Sequence, residues 1–281
     1  MRRDETLLLG GDLPVRRLGF GAMRLTGPEA WGPPADRQAA VAVVRRAVEL
    51  GVTFIDTADA YGPGISEEII AEALHPYPDG VVVATKAGQS RPSQAEWKPL
   101  GRPEYLRQQA ELSLRRLRVE RLDLFQLHRV DPQVPLADQV GALKQLQDQG
   151  KIRHIGLSEV TVAQIKQARD IADIVSVQNR YNLTARGYEE VLHHCAREGI
   201  AFIPWEPIAD GAHAEAGGPL AALARDLGAT PAQLSLAWLL HHSPALLPIP
   251  GTSRVSHLEE NLAAADIELT PEQMSLFPAL G

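Results

Sequence analysis

Short runs of apolar residues, each ending in a polar side chain, recur along this chain. Residues 54–62 read Phe-Ile-Asp-Thr-Ala-Asp-Ala-Tyr-Gly, and residues 81–86, 122–128 and 174–179 have the same form. Apolar runs of this length are typical of buried strands in a parallel sheet. We therefore expect four strands that deliver polar side chains to their carboxyl ends.

Helical patterns alternate with these strands. A small hairpin is predicted over residues 5–17 around a Gly-Gly-Asp turn, followed by a first core strand over 18–23. Several of the predicted helices end at a glycine, which favours a helix stop. The predicted helices span 39–50, 67–74, 103–118, 136–149, 162–172, 188–198, 220–227, 232–241 and 255–265, and the remaining strands 152–158, 200–205 and 245–249.

About eight strand–helix units in 281 residues favour an α/β fold, the (β/α)8 TIM barrel, with a short N-terminal β-hairpin. The competing fold is an open doubly wound sheet, whose dinucleotide motif is G-x-G-x-x-G. Gly19 and Gly21 supply only half of that motif, because Arg24 stands at the third glycine. No linker divides the chain, so residues 1–281 are expected to form a single domain.

Composition narrows the class of partner. The net charge of −7 argues against nucleic acid or an anionic membrane as the main partner. No apolar run approaches the roughly 20 residues of a membrane span, and the acidic start of the chain argues against a signal peptide. The single Cys195 excludes an intramolecular disulfide, and no His or Cys spacing indicates a metal. We expect a cytoplasmic protein, monomeric or weakly homo-oligomeric, with a small-molecule substrate.

Four ionisable side chains should meet at the carboxyl ends of the strands, where barrel active sites lie. They are Asp56, Tyr61, Lys86 and His128. A phenol with a pKa near 10 exchanges protons poorly at neutral pH, but a nearby ammonium lowers that pKa and a carboxylate can orient the ammonium. Each residue alone has an ordinary structural explanation. Together, on successive strand ends, they predict an acid–base site.

A second candidate site lies in residues 248–254, where a strand ends, a Gly-Thr-Ser turn follows and a helix begins. Amide groups at a helix N-terminus bind anions, and barrels often bind phosphate after their seventh and eighth strands. Arg254 adds a planar cation suited to a phosphate monoester. An ordinary capped helix is the alternative interpretation.

Five motifs, taken in chain order, resemble those of the aldo-keto reductases. They are 55–62 (I-D-T-A-x-x-Y-G), 85–86, 126–128, 156–158 and the stretch 249–261. This resemblance covers nearly the whole chain. It implies a barrel that binds a nicotinamide cofactor in extended form and reduces an aldehyde or ketone by hydride transfer. It also implies Tyr61 as the general acid, tuned by Lys86 and Asp56, with His128 contacting the substrate carbonyl.

The resemblance also implies cofactor contacts. Ser158 and Gln178 would hold the carboxamide, and Trp205 would stack on the nicotinamide ring. The other implied positions run from the nicotinamide half to the adenosine 2′-phosphate and adenine: Gly21, Ala22, Met23, Asp56, Pro207, Ile208, Gly251, Thr252, Ser253, Arg254, His257, Glu260 and Asn261. Because Arg254 offers charge to a 2′-phosphate, NADPH (NADP+) is the expected cofactor, with NADH less favoured.

This sequence departs from the family pattern in three of these places. Glu159 stands where Asn commonly follows the serine, and Gly251 and His257 stand where some members have Lys and Arg.

Among the subgroups, the sequence looks most like the pyridoxal reductases (pyridoxine 4-dehydrogenases). Residues 21–28, 32–37 and 249–253 carry that likeness and make pyridoxal the candidate substrate. Trp31 and Trp97 follow strands and are candidates for the substrate mouth, with packing on their own loops as the alternative. Two other functions stay open: a cofactor-binding regulatory subunit with little turnover, and an aldolase that uses Lys86 to form a Schiff base.

Overall fold

Strands and helices alternate along the computed structural model, which describes residues 6–209, 211 and 220–277. The strands are β1 Thr6–Leu9, β2 Leu13–Arg16, β3 Phe20–Gly21, β4 Phe54–Asp56, β5 Val82–Ala87, β6 Gln89–Ser90, β7 Lys98–Pro99, β8 Leu122–Leu127, β9 Ile152–Ser158, β10 Ile174–Gln178 and β11 Ala201–Phe202. The helices are α1 Arg37–Glu49, α2 Ile65–Leu74, α3 Pro103–Leu117, α4 Leu136–Asp148, α5 Val162–Arg169, α6 Glu189–Glu198, α7 Ala221–Asp226, α8 Pro231–His242, α9 Val255–Ala263 and α10 Pro271–Met274.

The parallel strands close into a barrel. Seven of them pair in the order β11-β10-β9-β8-β5-β4-β3. Residues 245–251, expected to contain the eighth strand, lie between the two edges of this sheet. Leu246 pairs in parallel with Phe202 on one side, and Gly251 pairs in parallel with Gly21 on the other. The predicted (β/α)8 barrel with its N-terminal hairpin is therefore confirmed.

Two prolines explain why the eighth segment is not a regular strand. Proline has no backbone N–H and cannot donate to a neighbouring strand. The carbonyls of Pro248 and Pro250 still accept hydrogen bonds from the amides of Gly19 and Gly21, at 2.9 and 3.2 Å. The segment thus closes the barrel with fewer hydrogen bonds than its neighbours form.

The amino-terminal end of the barrel is filled with apolar side chains and closed by the hairpin β1–β2. Leu9, Leu13 and Val15 of the hairpin pack in one cluster with side chains of the barrel strands. The Arg16 amide donates to the Thr53 hydroxyl at 2.8 Å, just before β4 begins. The barrel residues of this cluster are Phe54, Val82, Ala84, Leu124, Val175, Ala201, Ile203, Leu247 and Ile249. Burying each large apolar side chain contributes about 1.5–3 kcal/mol, so the hairpin is held by packing.

Gly156 lets polar side chains enter the middle of the barrel. A Cβ atom at this position would lie 2.2 Å from Ser176 Oγ and 2.9 Å from the Gln126 side chain. Both neighbours are fully buried, and the Ser176 hydroxyl donates to Gln126 Oε1 at 3.3 Å. The glycine therefore makes room for a polar layer beneath the carboxyl ends of the strands.

Element boundaries differ from expectation where the backbone turns. The first barrel strand covers only Phe20–Gly21 instead of 18–23, because a helical turn begins at Met23. Helix α2 starts two residues early, since Gly64 takes a left-handed conformation (φ 83°) that turns the chain into the helix. The strand expected over 200–205 is reduced to β11, and the sequence did not predict β6, β7 or α10. Residue 5 of the expected hairpin lies outside the described residues. In the part of the chain that is described, no helix could cross a bilayer.

Candidate active site

The predicted tetrad comes together at the carboxyl ends of three strands. Asp56 ends β4, Lys86 lies near the end of β5, and His128 follows β8 directly. Tyr61 is brought back to them by the turn after β4. All four are buried, and Tyr61 is the most exposed at 8%.

Lys86 uses each of its three N–H donors inside this group. Its Nζ lies 2.6 Å from Asp56 Oδ1, 2.7 Å from the Thr57 carbonyl oxygen and 3.4 Å from the Tyr61 hydroxyl oxygen. An ammonium has three donors and no acceptor, so the Tyr61 oxygen accepts from Lys86. The phenolic hydrogen stays free to donate to another oxygen.

Two amides hold the other oxygen of Asp56. Gln178 Nε2 and Gln126 Nε2 donate to Asp56 Oδ2 at 2.8 and 3.2 Å. Gln178 was expected to contact a carboxamide of the cofactor, but here one of its N–H groups orients the Asp56 carboxylate. The sequence analysis gave Gln126 no role, although it lies two residues before His128 and therefore on the same face of β8.

The pKa of the Tyr61 phenol is raised, which corrects an expectation. Burial raises it, because a phenolate is poorly solvated here; the Lys86 charge lowers it as expected, but by less. Tyr61 therefore keeps its proton at neutral pH. For Lys86, burial opposes the charged form, but the charge of Asp56 and its hydrogen bonds to Asp56 and Tyr61 outweigh burial and raise its pKa. The site holds a neutral phenol beside a permanent cation.

His128 stands at the edge of Tyr61 as a neutral imidazole. The two ring centroids are 5.9 Å apart and nearly perpendicular, at 87°. Burial lowers the pKa of His128 well below its usual range, and the charges of Lys86 and Arg129 lower it further. Its buried Nδ1 has no hydrogen-bond partner among the described residues. A neutral ring with one N–H can donate to a carbonyl oxygen placed beside the Tyr61 hydroxyl.

The depressed pKa of His128 predicts a loss of stability in acid. The unfolded chain binds a proton at His128 below about pH 6.5, whereas the folded chain resists it, so the free energy of unfolding falls as the pH drops from there toward the folded pKa. Between about pH 7.5 and about pH 5.5, His128 alone should lower the free energy of unfolding by an amount on the order of 1 kcal/mol. Urea unfolding of wild type and His128→Asn at both pH values measures it. An equal pH dependence in the two proteins would contradict the prediction, since the variant should lose that much less.

Trp205 is fixed at the rim of the site by Glu159. Glu159 Oε1 accepts from Trp205 Nε1 and from the Arg180 amide, both at 2.7 Å, and its Oε2 accepts from the Tyr188 hydroxyl at 3.0 Å. Glu159 adopts a left-handed backbone conformation with φ 55°, which is unfavourable for this residue type. Three hydrogen bonds offset that strain. The carboxylate that stands in place of the family's Asn therefore orients an indole ring.

Arg129 lies beside both Ser158 and Trp205. Its Nη1 donates to the His128 carbonyl at 2.7 Å and to Ser158 Oγ at 3.1 Å. The guanidinium carbon lies 5.9 Å from the centroid of the Trp205 ring. Ser158 pairs with Gln178 across β9 and β10, so the two predicted carboxamide contacts are neighbours. The sequence analysis missed Arg129, whose only signal is that it follows His128 directly.

The predicted phosphate loop, residues 251–254, leads directly into α9, whose first turn contains His257. Thr252 Oγ1 accepts from the Arg254 amide at 3.1 Å and shapes the turn. Arg254 Nη2 lies 3.2 Å from His257 Nδ1, and Arg254 is exposed. A guanidinium and an imidazole side by side at the first turn of a helix suit a phosphate monoester. The donors present therefore fit a cofactor with a 2′-phosphate.

The remaining predicted cofactor residues differ in their burial and contacts. Glu260 accepts from the Thr230 hydroxyl at 2.7 Å, which turns its carboxylate toward α8. Met23 is 40% exposed at the end of the first strand. The burial of the others is as follows: Gly21, Ala22, Pro207 and Asn261 are buried, Ile208 is partly buried, and Gly251 and Ser253 are exposed. Their roles toward a cofactor stay predictions.

Trp31 and Trp97 come together beside Tyr61 with Arg91 between them. The Arg91 guanidinium lies 3.5 Å from the Trp97 ring centroid and 5.2 Å from that of Trp31. Trp97 packs against the small apolar cluster that contains Tyr61. Arg91 also donates to the Ala60 carbonyl at 3.3 Å, so it connects the two tryptophans to the turn that contains Tyr61. Trp97 therefore lies near Tyr61, and Arg91 connects it to Trp31. The role of both tryptophans in binding a substrate stays a prediction.

Comparisons with known proteins agree with this geometry. The model of the Aldo/keto reductase family matches residues 17–280. The chain is 51% identical over 262 residues to an uncharacterized oxidoreductase of Schizosaccharomyces pombe, covering 93% of this chain and 85% of that protein. It is 44% identical over 271 residues to pyridoxine 4-dehydrogenase of Escherichia coli, covering 94% of each. An aldo-keto reductase from Klebsiella pneumoniae, solved in complex with NADPH, superimposes with a TM-score of 0.83 at 30% identity, over 98% of this chain and 94% of that one. The chain therefore belongs to the aldo/keto reductase family, and the oxidoreductase class expected from its motifs is confirmed.

Proposed function

We propose that this protein reduces an aldehyde or ketone to an alcohol with NADPH as the hydride donor, and that pyridoxal is a candidate substrate. The observation that carries the proposal is the position of Lys86, whose hydrogen bonds leave the Tyr61 hydroxyl hydrogen free beside a neutral His128. The similarity to the E. coli pyridoxine 4-dehydrogenase and to the NADPH complex from K. pneumoniae supports the substrate and the cofactor.

The tetrad would act as a proton donor in this reaction. When bound, the cofactor supplies a hydride for the carbonyl carbon. An N–H of neutral His128 orients the carbonyl oxygen, and Tyr61 Oη releases its proton to that oxygen. The phenolate that results is stabilised by Lys86, whose charge is balanced by Asp56. A phenol whose pKa is raised by burial suits this direction, because it carries its proton before the reaction begins.

The rim residues would hold the cofactor. Trp205 offers an aromatic face near Ser158, and Glu159 keeps the indole in one orientation. Arg254 and His257 would pair with the 2′-phosphate at the first turn of α9. These contacts favour NADPH over NADH, because only the former carries that phosphate.

Replacing Arg254 with Ala should raise the KM for NADPH by about 10- to 100-fold and change the KM for NADH little. The lost interaction is a charge-assisted hydrogen bond to the 2′-phosphate, which is worth about 1.5–3 kcal/mol. Steady-state kinetics with each cofactor on one aldehyde measures the effect. Arg46→Ala is a matched control, since Arg46 is also exposed but pairs with Glu259 and Glu49 on the outer helices. Equal losses with the two cofactors would show that Arg254 does not read the phosphate.

The experiment that tests the proposed function is turnover of NADPH and NADH with pyridoxal and a panel of aldehydes. NADPH-dependent reduction of pyridoxal well above the panel supports both the reaction and the substrate. Reduction of simple aldehydes alone keeps the reaction and removes pyridoxal. Tight NADPH binding without turnover favours the regulatory subunit instead.

The aldolase alternative finds no support at Lys86. A Schiff base requires an unprotonated amine, whereas Asp56 and Tyr61 raise the pKa of this lysine against the effect of burial. All three of its N–H donors are also engaged. A location in the cytoplasm and a monomeric or weakly oligomeric state remain parts of the proposal.

A further inference from the structure

Arg129 differs from two neighbouring cations of the active site, because each of those two is neutralised by a carboxylate. Lys86 pairs with Asp56 at 2.6 Å, and Arg180 on the rim pairs with Glu206 at 2.7 Å. Arg129 makes no ion pair within residues 6–209, 211 and 220–277. In a chain whose net charge is −7, an unpaired guanidinium at this position needs an explanation.

The position of Arg129 is fixed by its neighbours. One nitrogen, Nη1, is used for the His128 carbonyl and Ser158 Oγ. The Trp205 ring backs the guanidinium. The N–H groups on Nη2 and Nε donate to no partner in the described part of the chain, and the residue is only half-buried. A guanidinium has five N–H donors in a planar fork, so those that remain are available to a ligand.

These donors lie close to the place where the carbonyl would react. Arg129 is anchored to the backbone of His128, the residue whose side chain would contact the carbonyl oxygen. Because Lys86 and Asp56 cancel in charge and His128 is neutral, Arg129 adds a net positive charge directly beside His128. An anionic oxygen one or two bonds from the carbonyl carbon is the group that would pair with this cation.

We propose that Arg129 is a specificity-determining residue that selects carbonyl compounds bearing an anionic oxygen next to the carbonyl group, such as aryl aldehydes with an ortho oxyanion or carboxylate. This inference rests on the proposed carbonyl reduction. Pyridoxal belongs to this class, since its ring hydroxyl stands on the carbon next to the one that bears the formyl group.

The kinetic test compares 2-formylbenzoate, 4-formylbenzoate and benzaldehyde as substrates of wild type and Arg129→Met. Wild type should have a kcat/KM for the ortho carboxylate about 10- to 100-fold above that for the para isomer, the usual value of a charge-assisted hydrogen bond. Arg129→Met should remove most of this preference through KM, and because the ratio of ortho to para isomer is taken within each protein, a general change in activity, followed with benzaldehyde, does not enter it. Arg129→Lys should restore part of it, because the charge returns without the fork.

A binding measurement provides a readout that does not depend on turnover. Salicylate and its neutral amide are titrated against the NADP+-loaded protein by tryptophan fluorescence. Arg129→Met should weaken salicylate by about 10- to 100-fold and salicylamide little. Arg180→Met is the matched control, because Arg180 lies at the same 5.9 Å from the Trp205 ring but is paired with Glu206. The control should keep the preference for the anion.

Three results would overturn the inference. Equal kcat/KM for the ortho and para isomers in wild type would show that the protein does not recognise an anion in the ortho position. A loss of NADPH affinity in Arg129→Met as large as its loss of salicylate affinity would assign the residue to the cofactor. Absence of turnover with every aldehyde would remove the proposed function as well, whereas turnover without ortho preference removes only the role of Arg129.

Discussion

Replacing Tyr61 with Phe should lower kcat for carbonyl reduction by about a hundredfold to ten-thousandfold. The substitution removes one oxygen, and with it the hydroxyl that Lys86 contacts. Without a proton donor at that position, the alkoxide formed by hydride addition has to take its proton from water. The buried tetrad gives water little access, so both the loss of acid catalysis and the loss of position contribute. Single-turnover absorbance of NADPH with a reactive aldehyde measures the chemical step directly.

The control for this variant is its cofactor affinity. Tyr61 does not touch the phosphate loop, so quenching of tryptophan fluorescence by NADPH should give the same Kd as wild type. Tyr77→Phe is a matched substitution, because the Tyr77 hydroxyl bonds only to the Leu117 carbonyl, away from the site. It should leave kcat unchanged. If Tyr61→Phe weakened NADPH binding and kept kcat, the residue would serve the cofactor and not the proton.

Replacing Lys86 with Met should destabilise the protein by about 3–5 kcal/mol, besides abolishing turnover. Lys86 is fully buried and Asp56 is 2% exposed. Removing the ammonium leaves a buried carboxylate with two amide donors and no countercharge, and the cost of that desolvated charge exceeds the gain from a better-packed methionine. Guanidinium unfolding at neutral pH measures the change.

Two further variants show whether the buried charge is the cause. Asp56→Asn with Lys86→Met removes both charges and should recover most of the lost stability, because neither group is then left unpaired. Lys144→Met breaks the exposed pair with Asp148 and should cost about 0–1 kcal/mol. A double variant as unstable as Lys86→Met alone would assign the effect to lost packing.

The residues of the tetrad were predictable from the sequence, because they follow apolar strands and parallel strands end at one edge. The same reasoning failed for the pKa of Tyr61. The sequence shows that Lys86 is close, but the depth at which the phenol lies is a property of the closed barrel. Burial therefore decided the direction of the shift.

Contacts between distant loops were also beyond the sequence. Glu159 looked like a departure from the family pattern at a carboxamide contact, whereas its partners, Tyr188 and Trp205, come from segments 29 and 46 residues further along. Arg129 and Arg91 have no periodicity that marks them, since side chains in loops follow neither the strand nor the helix repeat. Such residues are found only once the strand ends are arranged in space.

The hairpin β1–β2 has a consequence for the order of events in a catalytic cycle. The hairpin closes the amino-terminal end of the barrel, so in the described part of the protein the barrel is open only at the carboxyl ends of the strands. Cofactor and substrate therefore enter by the same opening, and the molecule that binds deeper cannot enter or leave while the other is bound. If the nicotinamide lies against Ser158 and Trp205, beneath the position of the carbonyl, the cofactor has to enter first and the alcohol has to leave before the spent cofactor does. The packing of Leu9, Leu13 and Val15 at one end of the barrel would thus fix the order in which cofactor and substrate bind and leave at the opposite end.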